Sequence, residues 1–296
     1  MNKISFTSGL CLAGLSAAAQ VQAPDSTPAQ LMSESRYPRF DFAPHVMKMT
    51  DWSELTHKIC DRAANRSLNK NYDFNTVLEA NDPDWKDPEF SGWDRIFWED
   101  YRPGGHDNDE SERKSDSTWK RIKDVYKGGS HSMWGHNGIQ FNDPNQGYIG
   151  DCWLIAAASI AAKDENRIRK IFHIEDLNSA GVYALDLFIM GIPVTVTVDD
   201  YLPFWTGTDS LVYARPGPDE SLWMPILEKA AAKLFGNYEI LVGGFMGPAI
   251  QMLTGAPYFE TPNADKSVDE LWDYIDKKVQ SGWMVTTASY TGTGSD

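Results

Sequence analysis

Gln146-Gly147-Tyr148-Ile149-Gly150-Asp151-Cys152-Trp153-Leu154 is the stretch on which the reading of this chain turns. It leads from a turn with two glycines into a segment, Cys152 to about Lys163, that is apolar on every face, as expected of a helix buried at a domain centre. Asp151 is placed to cap its first turn. A thiol in that turn faces the positive end of the helix dipole and several free backbone N–H groups, which favour the thiolate, the nucleophilic form. Gly147 and Gly150 let the backbone bend closely around the thiol. The amide of Gln146 is positioned to donate a hydrogen bond to a developing oxyanion. A free cysteine in an apolar helix is more often a small buried hydrophobe; the Gln-Gly-x-x-Gly-Asp lead-in turns the reading toward a nucleophile.

The rest of the composition is consistent with a packed protein. With 296 residues, of which 42% are hydrophobic, the chain can bury one substantial core or two smaller ones. A formal charge of −15 opposes a phosphate backbone, because nucleic-acid affinity comes mainly from Lys and Arg neutralising phosphates; nucleic acid is not an expected partner. The three cysteines, Cys11, Cys60 and Cys152, are too few and too scattered for a disulfide framework or a paired-ligand zinc site. No stretch approaches the about 20 apolar residues that span a bilayer, so no transmembrane segment is expected.

Four regions are distinguished along the chain. Residues 1–23 read as a secretory leader, with Lys3 ahead of the apolar run Phe6–Ala19 and small residues before Gln20 and Pro24, or as a disordered Ala-rich tail. Residues 24–83 form an extension with one helix near Trp52 to Ala64, and from Trp85 the aromatic density rises as in a packed surface. The acidic run 106–112 has Glu112 where a calcium loop counted from Asp107 needs Gly, and reads as a solvated loop. Residues 84–255 carry the clearest periodicity. Tyr183–Ile189 and Val194–Val198 alternate across Met190-Gly191 as a β-hairpin with one buried face. Leu222, Ile226, Leu227, Ala230, Ala231 and Leu234 recur at helical spacing, with Lys229 and Lys233 opposite. Asp199 and Asp200 read as strand-end and turn residues whose side chains point to opposite faces. In 256–296, Ser267-Val268-Asp269-Glu270 is a capping box for a helix with Leu271, Trp272, Ile275 and Val279 as its stripe, and Trp283–Ala288 reads as a strand.

The motif Gln146 to Leu154 with its Ala-rich continuation resembles the active-site cysteine signature of the calpains. The resemblance extends through Trp119-Lys120-Arg121, Asn142-Asp143-Pro144-Asn145, Val198-Asp199-Asp200-Tyr201-Leu202-Pro203, and Leu227-Glu228-Lys229-Ala230-Ala231-Ala232-Lys233-Leu234 running into Asn237-Tyr238-Glu239 and Gly243-Gly244. It covers roughly residues 85 to 290, a span of one or two domains.

This resemblance implies an α+β, papain-like cysteine protease. Residues 84–255 would be a helical first lobe with a central Cys helix, and 256–296 the start of a β-rich second lobe. It implies an endopeptidase that cleaves protein substrates through a Cys152 thioester, with Gln146 assisting the oxyanion. None of His45, His57, His106, His131, His136 and His173 sits in the family's His motif, so the general base and its Asn are expected outside this sequence. The resemblance further implies regulatory Ca2+, with Gly138 and Asp143 as ligands by spacing and Glu220 as the third, although Ser221 stands at the family's own position. A protein inhibitor is an implied partner. The implied location is the cytoplasm, or outside the cell if residues 1–23 are cleaved. A reading of another class is a non-catalytic protease lobe that binds calcium, an inhibitor or a substrate.

Overall fold

A computed structural model of the chain describes residues 72–90, 117–126, 131–261 and 266–288. The leader, the Trp52–Ala64 helix and the acidic run 106–112 lie outside them. Backbone contacts divide the chain into two units, up to Tyr258 and from Phe259 onward.

The hairpin forms the centre of the first unit. Strand β2 (Val182–Ile189) and strand β3 (Ile192–Asp199) pair antiparallel from Val182↔Asp199 to Ile189↔Ile192. The two-residue turn has Met190 at φ 50° and Gly191 at φ 81°, the left-handed backbone that matches the twist of the flanking strands. One buried face was expected, yet Val182–Leu185 and Val196–Asp199 are buried throughout. Both sides of that end are covered. Helix α1 (Phe74–Ala80), N-capped by Asp73, sets Phe74 and Val77 against Val182 and Ala184. A later helix (Met246–Thr254) packs on β2, and the long helix Trp223–Phe235 packs on β3. Residues 72–83, grouped by sequence with the N-terminal extension, therefore contribute to this core.

Two short elements lie close to one another in sequence, strand β1 (Ser117–Arg121) and the single-turn helix α2 (Ile122–Val125). Beyond the Cys152 helix, α3 (Cys152–Ala161), come α4 (Glu165–Arg169) and β4 (Tyr201–Trp205). β4 pairs antiparallel with β1 in a second two-stranded sheet. The mixture of helices with small antiparallel sheets is α+β.

The long helix, α5 (Trp223–Phe235), departs from its expected amphipathic form. Every residue from Trp223 to Leu234 is buried, including Glu228, Lys229 and Lys233. Buried charges persist when they are paired and hydrogen-bonded, and the lysines have such partners. Lys229 reaches Asp199 at the end of β3 and donates to the Tyr201 carbonyl at 2.6 Å. Lys233 lies 2.8 Å from Asp87 and 2.7 Å from the Thr197 carbonyl. Asp200 faces Arg121 instead, at 3.0 Å. The adjacent aspartates thus diverge to different cations, as strand neighbours do.

In the second unit the capping box is formed. The Glu270 N–H donates to Ser267 Oγ at 3.3 Å, and the Ser267 N–H donates to Glu270 Oε2 at 2.9 Å. Helix α7 (Val268–Gln280), numbered after α6 (Met246–Thr254), has no buried residue, and Trp272 is 69% exposed. Residues 283–288, expected as a strand, have no strand pairing among the described residues. A lone extended segment leaves its N–H and C=O groups unmatched, and pairing requires a neighbouring strand.

Candidate active site

The turn before Cys152 is held from two sides by backbone hydrogen bonds. On one side, Asn145 to Tyr148 runs against Val212 to Arg215: the Tyr148 N–H donates to the Val212 carbonyl at 2.8 Å and the Arg215 N–H to the Asn145 carbonyl at 2.9 Å. The two strands of chain are so close at Gly147 that a β-carbon there would sit 1.9 Å from the Tyr213 carbonyl oxygen. Only glycine permits that approach. On the other side, the Gly243 N–H donates to the Gly150 carbonyl at 2.9 Å, and the Trp153 indole donates to the Leu241 carbonyl at 2.7 Å.

These restraints direct the first turn of α3. Trp153 and Leu154 point into the core, whereas Cys152 is a free, exposed thiol. Exposure separates it from the inert structural cysteine, which is buried. Gln146 is exposed, and its amide nitrogen donates to the Ile149 carbonyl at 2.7 Å. An amide carries two N–H donors; one makes this bond, and the amide also lies against the Asp151 carboxylate.

Asp151 does not cap the helix with its side chain. Capping uses an extended N-cap backbone, whereas Asp151 has φ −98° and ψ 25°. Its carbonyl instead accepts from the Leu154 and Ile155 N–H groups, at 2.8 and 3.2 Å. The carboxylate is fully buried, and neither oxygen receives a well-formed hydrogen bond. Glu228 and Gln146 lie against it, and burial pushes its pKa up to about 6. Burial likewise pushes Glu228 well above the usual carboxylate range, reinforced by Asp151.

The residues expected to hold calcium are distributed as follows. Asp143 is buried, and its Oδ2 accepts from the Gln140 N–H at 2.7 Å and the Trp223 indole at 3.0 Å. Burial raises its pKa, against the lowering effect of those two bonds. Asp219 lies beside it, with Oδ2 accepting from the Asn137 N–H at 3.3 Å and Oδ1 buried without a partner. Glu220 is turned to His136, 3.4 Å away. Gly138 lies against the Glu165 carboxylate. Ser221 is buried with its hydroxyl unpartnered. Among the described residues no group of three or more His, Cys, Asp or Glu side chains converges for a metal ion.

The described histidines have other neighbours: His131 stacks on Tyr126 at 4.0 Å, His136 faces Glu220, and His173 lies 2.9 Å from Asp186. His45, His57 and His106 are outside the described residues. Sequence reasoning did not single out Glu228 or put Asp219 ahead of Glu220. The signal for Glu228 was present, as a charge inside the run Leu227–Leu234 that resists being placed on a solvated face. No described helix is long and apolar enough to cross a membrane.

Comparison with known proteins agrees with this geometry. A family model described as calpain family cysteine protease matches residues 85–295. Calpain-type cysteine protease DEK1 of Zea mays is 32% identical over 186 residues, 60% of this chain and 8% of that protein. Calpain clp-1 of Caenorhabditis elegans is 40% identical over 116 residues, 38% of this chain and 15% of that protein. The calpain-1 catalytic subunit of Homo sapiens is 33% identical over 170 residues, 56% of this chain and 23% of that protein. The chain thus spans less than a quarter of the length of these relatives.

Proposed function

Because the chain belongs to the calpain family of cysteine proteases and has its α+β, papain-like fold, we propose that it forms the nucleophile-bearing part of an endopeptidase. The observation that carries this reading is the presentation of Cys152: an exposed thiol at the first turn of a ten-residue helix whose next two side chains are buried. The Cys152 sulfur, once deprotonated, attacks the scissile carbonyl of a protein substrate. A thioester forms when the amine leaves, and water then releases the acyl group. Gln146 supplies a side-chain donor to the oxyanion in both steps. A general base is needed to take and return the proton, and in this reading an imidazole and its Asn partner come from a longer polypeptide. Calpain-directed protein inhibitors would meet the same face.

Calcium binding belongs to the same proposal. The oxygens of the Gly138 carbonyl, Asp143 and the acidic pair Asp219–Glu220 suit a hard cation. The orphaned Asp219 Oδ1 and Ser221 hydroxyl favour the 219–221 segment as the partner of Asp143. A bound cation would neutralise the neighbouring carboxylates and tie residues 138–143 to 219–221, ahead of α5. The test is calcium-dependent cleavage of a denatured protein substrate by the longest polypeptide containing these residues. Loss of cleavage with Cys152→Ala is expected; cleavage that survives it contradicts the assignment.

A further inference from the structure

Of the other deeply buried carboxylates of the first unit, three have a cation, Asp87 with Lys233, Asp199 with Lys229 and Asp200 with Arg121, and Asp143 has two N–H donors, from Gln140 and the Trp223 indole. Asp151 and Glu228 do not. Each is about fully buried, no Lys or Arg lies among the groups acting on either, and the two carboxyls lie in hydrogen-bond contact with each other. Both Glu228 oxygens are within 3.0 to 3.1 Å of the Ala214 N–H. Asp151 has no comparable donor. Two ionised carboxylates cannot remain in contact in such a place, because each would carry its full desolvation cost plus the repulsion of the other.

We propose that Asp151 and Glu228 share one proton, and that this buried carboxyl pair is the positioning unit for the Gln146–Cys152 turn. Glu228 brings the proton from α5, anchored by Ala214. Asp151, directly before Cys152, accepts it, and the Gln146 amide rests against Asp151. The pair thereby joins four pieces of chain: the oxyanion glutamine, the nucleophile turn, the 212–215 segment and α5. The raised protonation of both carboxyls agrees with this arrangement. The other ionisable groups facing the pair are the stacked phenols Tyr213 and Tyr238, with Asp199 farther off and committed to Lys229. Tyr238 is held well above its ordinary range by burial first and then by Glu228, so it is not the source of a proton near neutrality. The positioning role rests on the reading of Cys152 and Gln146 given above; the shared proton does not.

Three variants, Glu228→Gln, Glu228→Ala and Asp151→Asn, test it through infrared spectra at pH 7, unfolding across pH and alkylation of Cys152 by iodoacetamide. Wild type shows a protonated-carboxyl band at pH 7 that Glu228→Gln lacks. Folded-state pKa values are raised, so the pair's contribution to stability is complete below the unfolded carboxylate pKa and is lost as pH rises through the folded values. Glu228→Gln flattens that fall. Its carboxamide accepts from Ala214 and donates to Asp151, so it alkylates at nearly the wild-type rate, while Glu228→Ala slows alkylation by about tenfold, the loss expected for one buried hydrogen bond. Should Glu228→Gln fail to fold, Asp151→Asn accepts the Glu228 proton and keeps the band. Identical carboxyl spectra and pH slopes in wild type and Glu228→Gln would overturn the shared proton. Equal alkylation in Glu228→Ala and wild type would overturn the positioning role. A Cys152 inert in every variant, with the band intact, would instead count against Cys152 as the nucleophile.

Discussion

The Gln146 side-chain amide donates to the Ile149 carbonyl at 2.7 Å, within the turn that presents Cys152. A residue placed to assist the oxyanion is therefore also a brace for the backbone that carries the nucleophile. Removing it acts in two ways: one oxyanion donor is lost, worth about 100- to 1,000-fold in turnover, and the turn loses a bond worth about 1 kcal/mol. In the complete protease, Gln146→Ala is expected to lower kcat by that range with a small change in KM. Steady-state kinetics on a peptide substrate measures the split, and a pure KM effect would place Gln146 in substrate binding instead.

Gly147 is the tightest backbone approach in the site, with room for hydrogen but not for carbon. Gly147→Ala must push the 145–148 segment away from Tyr213, because the obstructing atom is backbone and cannot rotate aside. Overpacking of this kind costs about 1–3 kcal/mol. A lowered melting temperature with slower alkylation of Cys152 is expected. Unchanged values for both would mean that the segment is not held as described.

Lys233 tests the buried charge network of α5. Lys233→Ala strands Asp87 without its cation and is expected to destabilise by about 3–5 kcal/mol. The double variant Lys233→Met, Asp87→Asn removes both charges and is expected to recover most of that loss. Chemical denaturation measures all three proteins. Equal losses in the single and double variants would mean that packing, not the charge pair, governs the site.

Calcium is expected to raise the melting temperature, since a ligand bound only to the native state adds about 2.7 kcal/mol at a hundredfold excess over Kd. Asp143→Asn abolishes the shift, with the indole of Trp223, bonded to Asp143, as a fluorescence reporter. Asp219→Asn weakens it more than Glu220→Gln, because Glu220 is engaged by His136. The reverse order would return Glu220 to the ligand set.

Much of this architecture was legible in the chain because it is written in local patterns. The hairpin at Met190-Gly191, the helix after Asp151 and the capping box at Ser267 each follow from neighbours a few residues apart. The cysteine site was legible because its parts fall within Gln146–Leu154. What was not legible depends on partners distant in sequence. Lys229 and Lys233 looked like a solvated face because Asp199 and Asp87, which permit their burial, lie 30 and 146 residues away. Asp151 looked like a cap because Glu228 cannot be seen from its surroundings. The strand expected at Trp283–Ala288 needed a neighbour that local pattern does not supply.

The most direct test of the central claim is the rate at which an electrophilic thiol probe labels the purified chain across pH, with Cys152→Ala as the control. In the folded chain the exposed Cys152 is labelled faster than a cysteine of the denatured chain, and the control loses that labelling. Labelling of Cys152 no faster in the folded than in the denatured chain would contradict the account and leave a non-catalytic lobe as the better description.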